Sequence, residues 1–176
     1  MAVLDPGDYK AGLKRRLDAL LDREGSALGA ADVGYYMEVQ EAELKRLTAG
    51  TGVSVRRRGK TLQIGPWNRA FASGSVQPAA ATRKVLAAIV PMLKEYNRTL
   101  ITVHCYTDSR GAAAFNRTLS RRRALAVAHR LIEAGVAAGR IVVVGHGESD
   151  PVASNATARG RARNRRIALE LQPLAH

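Results

Sequence analysis

LITVHCYTDSRGAAAFNRTLSRRRALAVAHRLIEAGVAAGRIVVV, residues 100–144, is the stretch that decides the fold. It opens on the apolar run LITVHC at 100–105 and closes on IVVV at 141–144. Runs this short and this rich in β-branched residues read as strands. Between them Leu119, Val127 and Leu131 recur at helical spacing, which predicts a helix over roughly 115–134. A strand, a helix and a second strand in this order predict a right-handed crossover joining parallel neighbours.

The helix also carries Arg121, Arg122 and Arg123. At 3.6 residues per turn, Leu119, Arg123, Val127 and Leu131 fall on one stripe, with Arg121 about 160° and Arg122 about 100° away from it. Two arginines are thus free to be solvated while Arg123 points along the sheet-facing side. Asp108 lies just past the first strand, where the chain loops towards the helix. Strand end and helix start are neighbours in such a unit, so Asp108 and Arg123 are expected to face one cleft. A carboxylate takes an ammonium group and a guanidinium fork takes a carboxylate, so the pair suits a zwitterion. It would equally serve as a salt bridge tying the loop to the helix, and geometry alone leaves the two readings even.

Outward from this unit, Tyr9, Leu13, Leu17 and Leu20 predict a helix over 8–24, and Gly25 and Gly29 loosen the chain after it. A second helix is predicted over 32–47, with Asp32 as its N-cap. Val53, Val55, Leu62 and Ile64 alternate around a basic turn at Arg58-Gly59, a hairpin pattern. Residues 65–78 read as an irregular connection and 79–97 as a helix that Pro91 would kink or divide. A turn or short helix at 157–164 leads to a last strand, Arg166 to Leu171. The class is α+β with a mixed sheet.

The 176 residues, 46% of them hydrophobic, suffice for one domain with a core plus an appendage. Net charge is −2 over residues 1–50 and +15 over 51–176, which places a boundary near residue 50 and an anionic partner opposite the basic part. No stretch approaches the ~20 apolar residues of a membrane span. The start, MAVLDPGDYKAGLKRR, lacks the apolar core of a secretory signal.

Two blocks carry a family resemblance. The first fits T-D-x10-L-S-x-x-R-A-x-x-V-x-x-x-L through Thr107, Asp108, Leu119, Ser120, Arg123, Ala124, Val127 and Leu131, with Asn116 at the pattern's Asn. The second, GHGESDPVASNATARGRARNRR, follows G-x-G-E-x-x-P-x-x-x-N-x-T-x-x-G-R-x-x-N-R-R. Together they strongly resemble the OmpA-like peptidoglycan-binding domain, and VGYYMEVQEAELKRLTAGTGVSV upstream looks like the YiaD-type outer-membrane lipoproteins of that family. The resemblance implies a βαβαβ mixed sheet with helices on one face, spanning residues 50–176, preceded by an N-terminal helical segment over 1–49. It implies a non-catalytic module on the periplasmic face of the outer membrane that tethers it to peptidoglycan. Asp108 and Arg123 would hold diaminopimelate of the stem peptide, whose side chain ends in an extra amino-acid centre. Thr107, Asn116 and Leu119 match positions flanking that site, and Phe71, in FASGS, resembles an element bordering it. Cys105 stands where the family has Gly, so a narrowed pocket is expected. The lipid-attachment cysteine of the YiaD-type proteins is absent, so membrane association is expected only through an anchor that this chain lacks.

Other chemistry finds little support. Cys105 reads as a small buried hydrophobe. His104 and His146 have no supporting ligand cluster, so no metal is expected, and no cofactor. Ser120 lacks a nucleophile elbow. Gly145-x-Gly147 is followed by Glu148 and Asp150, which would repel phosphate. Arg165 and Arg166 read either as a basic patch or as structural residues entering the last strand, and VRRRGK at 55–60 as a solvated hairpin tip. The alternative to peptidoglycan is a basic nucleic-acid-binding domain. Aromatics at 5% leave few stacking platforms for it. An enzyme acting on peptidoglycan ranks third, with no acid/base constellation visible.

Overall fold

The computed structural model describes residues 1–22 and 27–175. The chain runs β1 (Ala2–Leu4), α1 (Tyr9–Leu21), α2 (Val33–Thr48), β2 (Val55–Arg58), β3 (Thr61–Trp67), α3 (Ala80–Glu95), β4 (Thr99–Cys105) and α4 (Ala113–Glu133). A 3-10 turn at Ala138–Arg140, β5 (Ile141–Gly145), α5 (Ala158–Asn164) and β6 (Ile167–Pro173) complete it. The strands form one mixed sheet in the order β1-β5-β4-β6-β3-β2, with β4 and β5 parallel as the crossover requires.

β4 is buried at every position, because helices cover both of its faces. Ile101, Val103 and Cys105 point into the main core with Ile141 and Val143 of β5, under α2, α3 and α4. Leu100 packs with Val142 and Val144 on the opposite face, under Leu13, Leu17, Leu20 and Leu21 of α1. Apolar runs without alternation, such as IVVV, are what two-sided burial demands. The helices of the 50–176 region thus share one face, and the N-terminal α1 closes the other.

Several local expectations are refined. β1 was not foreseen: Ala2–Leu4 pair in parallel with Val142–Val144 at the sheet edge. The hairpin turn sits at Gly59-Lys60, one residue beyond Arg58-Gly59, since Arg58 pairs with Thr61 and Gly59 takes φ +59°. Asp32 occupies the N-cap position of α2 without a side-chain cap. Pro91 lies inside a single helix, with Ala80–Glu95 unbroken. At the hairpin tip Arg57 is not merely solvated, since its Nη2 donates to Gly34 O at 3.2 Å. The loosening expected at Gly25 lies outside the described residues.

Two contacts fix how the layers meet. The buried Arg140 donates to Thr99 O, Leu93 O and Tyr96 O at 2.9, 2.6 and 3.1 Å, joining the end of α3 to the start of β4. Gly145 lets β5 touch α4: a Cβ there would lie 2.7 Å from Arg121 Cα and closer still to its amide nitrogen. Helix backbone cannot move aside like a side-chain tip.

On the α1 face, beyond its leucines, His104 and His146 are hydrogen-bonded neighbours, Nδ1 to Nε2 at 2.7 Å. Tyr106 stacks on His146 with centroids 4.4 Å apart, and the Arg166 guanidinium lies 3.7 Å over Tyr106. Glu170 Oε1 is 3.5 Å from His104 Nε2, long for a hydrogen bond, and that ring nitrogen has no hydrogen-bond partner among the described residues. Burial pushes the His146 imidazole down to about 4, and the neighbouring His104 and Arg166 add to the shift. Sequence distance hides this pairing: His104 is in β4 and His146 lies just past β5, 42 positions further on.

Two outcomes follow. Gly145→Ala should lower the unfolding free energy by about 1–3 kcal/mol or more, the usual cost of overpacking, and chemical denaturation would show it. His146 is held neutral, so its contribution is complete above the unfolded imidazole value of about 6.5 and is lost as pH falls towards about 4. The shift corresponds to about 3 kcal/mol at most, and to roughly 1–2 kcal/mol once solvent screening of this partly exposed ring is allowed for. His146→Phe, which keeps the stack, should therefore lose that much less stability between about pH 7 and pH 4. Identical acid slopes for the two proteins would contradict the assignment.

Candidate functional site: a cleft beside the ends of the central strands

β4 ends at Cys105, and the chain leaves the sheet through Tyr106, Thr107 and Asp108 before α4 begins. Ligand crevices in open sheets lie outside the carboxyl ends of parallel strands, and this loop sits at such an end. The Thr107 amide donates to Gly147 O at 2.8 Å, and the Gly147 amide donates to Ser120 Oγ at the same distance. These bonds tie the loops after β4 and β5 to each other and to α4. Ser120 is thereby committed to structure, its hydroxyl also donating to Arg117 O at 2.9 Å.

Between these loops and the connection after β3 lies a cleft of about 200 Å³. Thr107, Asp108, Asn116, Leu119 and Arg123 all line it, together with Ser73, Gly74, Arg110, Gly111 and Phe115. Five of the six residues singled out in the sequence therefore meet there. Phe71 does not line the cleft. It is buried, and the Arg123 guanidinium lies 4.7 Å over its ring. Cys105 is absent from the lining too: it is fully buried in the core, with its thiol pushed well above the usual range by burial. The narrowing expected from Cys105 is therefore not seen, since its side chain forms no part of the cleft wall.

Arg123 and Asp108 are not bonded to each other. Arg123 donates through Nε to Ser75 O at 2.8 Å and through Nη2 to Ala72 O at 3.3 Å. Its Nη1 has no hydrogen-bond partner. Burial pushes the guanidinium down to about 10, and the charge of Asp108 acts in the opposite sense. Asp108 Oδ1 accepts the Arg110 amide at 3.0 Å, and Oδ2 accepts Arg165 Nη1 at 3.0 Å. Asn116 Nδ2 donates to Asp108 O at 3.3 Å and to Glu148 Oε2 at 3.2 Å, so it orders the loop. Thr107 Oγ1 donates to the same carbonyl at 2.8 Å.

Sequence reasoning missed the partner of Asp108. Arg165 caps α5, also donates through Nε to Phe71 O at 3.1 Å, and sits in a run of arginines where nothing distinguishes one from another. It missed Phe115 as well, 62% exposed at the cleft. A signal existed there: Phe115, Leu119 and Arg123 continue one i, i+4 series past the end of the core.

The volume is below the roughly 300–1,000 Å³ of pockets for drug-sized ligands, so it suits a terminal group rather than a whole glycopeptide. Among the described residues no cluster of metal-binding side chains occurs, and no helix is long and apolar enough to cross a membrane.

Comparison with known proteins matches this architecture. Residues 70–165 match the OmpA family, an interval that contains the cleft-lining residues. The chain is 46% identical over 143 residues to the probable lipoprotein YiaD of Escherichia coli K12, covering 81% of this chain and 65% of that protein. It is 39% identical over 98 residues to the peptidoglycan-binding protein ArfA of Mycobacterium tuberculosis H37Rv, covering 56% of this chain and 30% of that one. The cell wall anchor of the type VI secretion system (T6SS) from Pseudomonas aeruginosa superposes with a TM-score of 0.63 at 29% identity, over 74% of this chain and 96% of that one. The chain spans less than two thirds of the length of the YiaD and ArfA relatives. By its two sequence blocks, its mixed sheet and the extent of this match, the chain belongs to the OmpA family.

Proposed function

We propose that this protein is a non-catalytic peptidoglycan-binding module, and that its cleft takes the zwitterionic end of diaminopimelate in the stem peptide. In this reading it acts on the periplasmic face of the outer membrane and tethers it to the wall. Residues 50–176 form the binding unit, and 1–49 are an N-terminal segment built onto it. The observation that carries the reading is the state of Arg123, a buried guanidinium in the cleft wall with one nitrogen unpartnered and an ionisable carboxylate, Asp108, in the same lining. A buried donor left unsatisfied costs about 1–3 kcal/mol, and a ligand carboxylate would offset that. The ammonium would go to Asp108, which keeps lone pairs free beside its two protein partners. Access needs the Ser73–Gly74 rim to give slightly, since Arg123 is only 1% exposed.

The names of the ArfA and cell-wall-anchor relatives support the partner, and the YiaD relative supports the envelope. The surplus of positive charge favours any polyanion, nucleic acid included, and salt separates the two. Binding through phosphates falls linearly in log salt, whereas a desolvated amino-acid site responds weakly.

Titration with a diaminopimelate-containing stem peptide and co-sedimentation with purified wall test this reading. Asp108→Ala and Arg123→Lys should each weaken peptide binding by about 2–5 kcal/mol, roughly thirtyfold or more, with the melting transition retained. Wild-type co-sedimentation should persist at moderate salt. Unchanged affinity in both variants, or complete loss of wild-type binding at moderate salt, would overturn it.

A further inference from the structure

Asp108 is held by Arg165, a residue to which the reading above gives no task. The pair is tight and sheltered: 3.0 Å between Nη1 and Oδ2, with side chains 16% and 10% exposed. The same guanidinium reaches the other wall of the site, through Nε to Phe71 O at 3.1 Å. Phe71 is the ring beneath Arg123. Arg165 thus touches one half of the recognition pair directly and, through Phe71, the residue that underlies the other half, without lining the cleft.

Its charge matters as much as its position. Arg110 and Arg123 line the cleft with Asp108, and Arg165 contacts that carboxylate from behind. Among the described residues, the one further acid hydrogen-bonded to a cleft-lining side chain is Glu148, through Asn116. The cleft lining thus carries two arginines and one carboxylate, with the charge of Arg165 behind it and that of Glu148 beside Asn116. A lone ammonium entering such a space meets net repulsion, whereas a group bringing its own carboxylate does not. Asp108 keeps capacity for an amine, since each oxygen has one partner and each can accept a second hydrogen bond.

We propose that Arg165 sets the ligand class of the cleft: by holding one oxygen of Asp108 it leaves the site with surplus positive charge, so that a ligand amine is accepted only together with a carboxylate on the same carbon. The inference rests on the diaminopimelate reading and adds the reason for the choice. The natural discriminator is lysine, which has the same side-chain amine and lacks that second carboxylate. Arg165 is a positioning residue here and touches the ligand only through Asp108.

The test is isothermal titration of the full chain with two stem peptides that differ only in diaminopimelate or lysine at the third position. Wild type should prefer the diaminopimelate peptide by roughly thirtyfold or more, the cost of leaving a buried charge unpaired. Arg165→Gln should reduce this preference by roughly tenfold, the worth of one charge-assisted hydrogen bond, with the lysine peptide holding or gaining affinity. Arg165→Lys keeps the charge without the fork to Phe71, so the preference should stay within about threefold of wild type. Should Arg165→Gln fail to fold, Arg165→Met keeps the stem and packing and serves in its place. A purely structural role would weaken both peptides equally and leave the ratio unchanged, which would overturn the proposal. Equal wild-type affinity for the two peptides would overturn it while sparing the peptidoglycan reading. Binding of neither would remove both.

Discussion

Everything at the cleft depends on a guanidinium kept inside an apolar helix stripe. Arg123 shares its stripe with Leu119, Val127 and Leu131, and it is as buried as the core residues around it. An uncompensated charge there would be expelled or neutralised. It stays because two carbonyls of the 72–75 connection accept from it and the Phe71 ring lies beneath it. Arg140 shows what a purely structural buried arginine looks like in the same protein. Burial pushes it down to about 10 as well, yet all three of its nitrogens are engaged, by Thr99, Leu93 and Tyr96. The two residues differ in one nitrogen. Buried polar groups are almost always satisfied; among the described residues Gln40, Trp67, His104 and Arg166 also carry an unpartnered buried atom, but of the five only Arg123 lines the cleft.

The cleft is assembled from segments far apart in sequence, and its precision comes from how few of them can move independently. The connection after β3 is held by Arg123 and Arg165, the loop after β4 by Gly147 and Asn116, and the loop after β5 by Ser120. The ties through Arg123, Asn116 and Ser120 end on α4, which is anchored in the main core, Arg165 stands just before β6, and Gly147 joins one loop to the other. Sites supported by rigid elements hold their geometry better than sites on free loops. Gly145 contributes from a distance, because the close approach of β5 to α4 sets where Ser120 meets Gly147.

How much of this the sequence disclosed follows from the range of each interaction. Strands β4, β5 and β6 and helices α1 to α4 were legible because periodicity is a local signal. So was the Arg123 stripe, since an i, i+4 series shows on one helix. β1 was not, because three residues carry no period and its partner Val142–Val144 lies at the far end of the chain. The apolar runs of β4 and β5 did record that both faces are covered, though not by what. Arg165 and Arg166 show the limit most clearly: adjacent in sequence, they diverge in space, one to Asp108 and the other over Tyr106. At a strand entrance, period-two geometry sends neighbours to opposite faces, and only the sheet register says which faces the cleft.

The basic surplus and the cleft answer different physical needs. Arg117, Arg121, Arg122 and Arg130 lie on the outer side of α4, exposed or partly so, and their fields act over a Debye length of about 8–10 Å. Such a surface raises the local concentration of any polyanion without reading its chemistry. The cleft acts only at contact, and on the proposed reading its carboxylate and guanidinium groups together would favour an amino-acid terminus over a bare amine or a bare acid. Long-range charge governs arrival, and desolvated pairs govern what is retained. If the partner is the wall polymer proposed above, the arginines of the α4 surface would serve its arrival and those of the Asp108 cleft its retention.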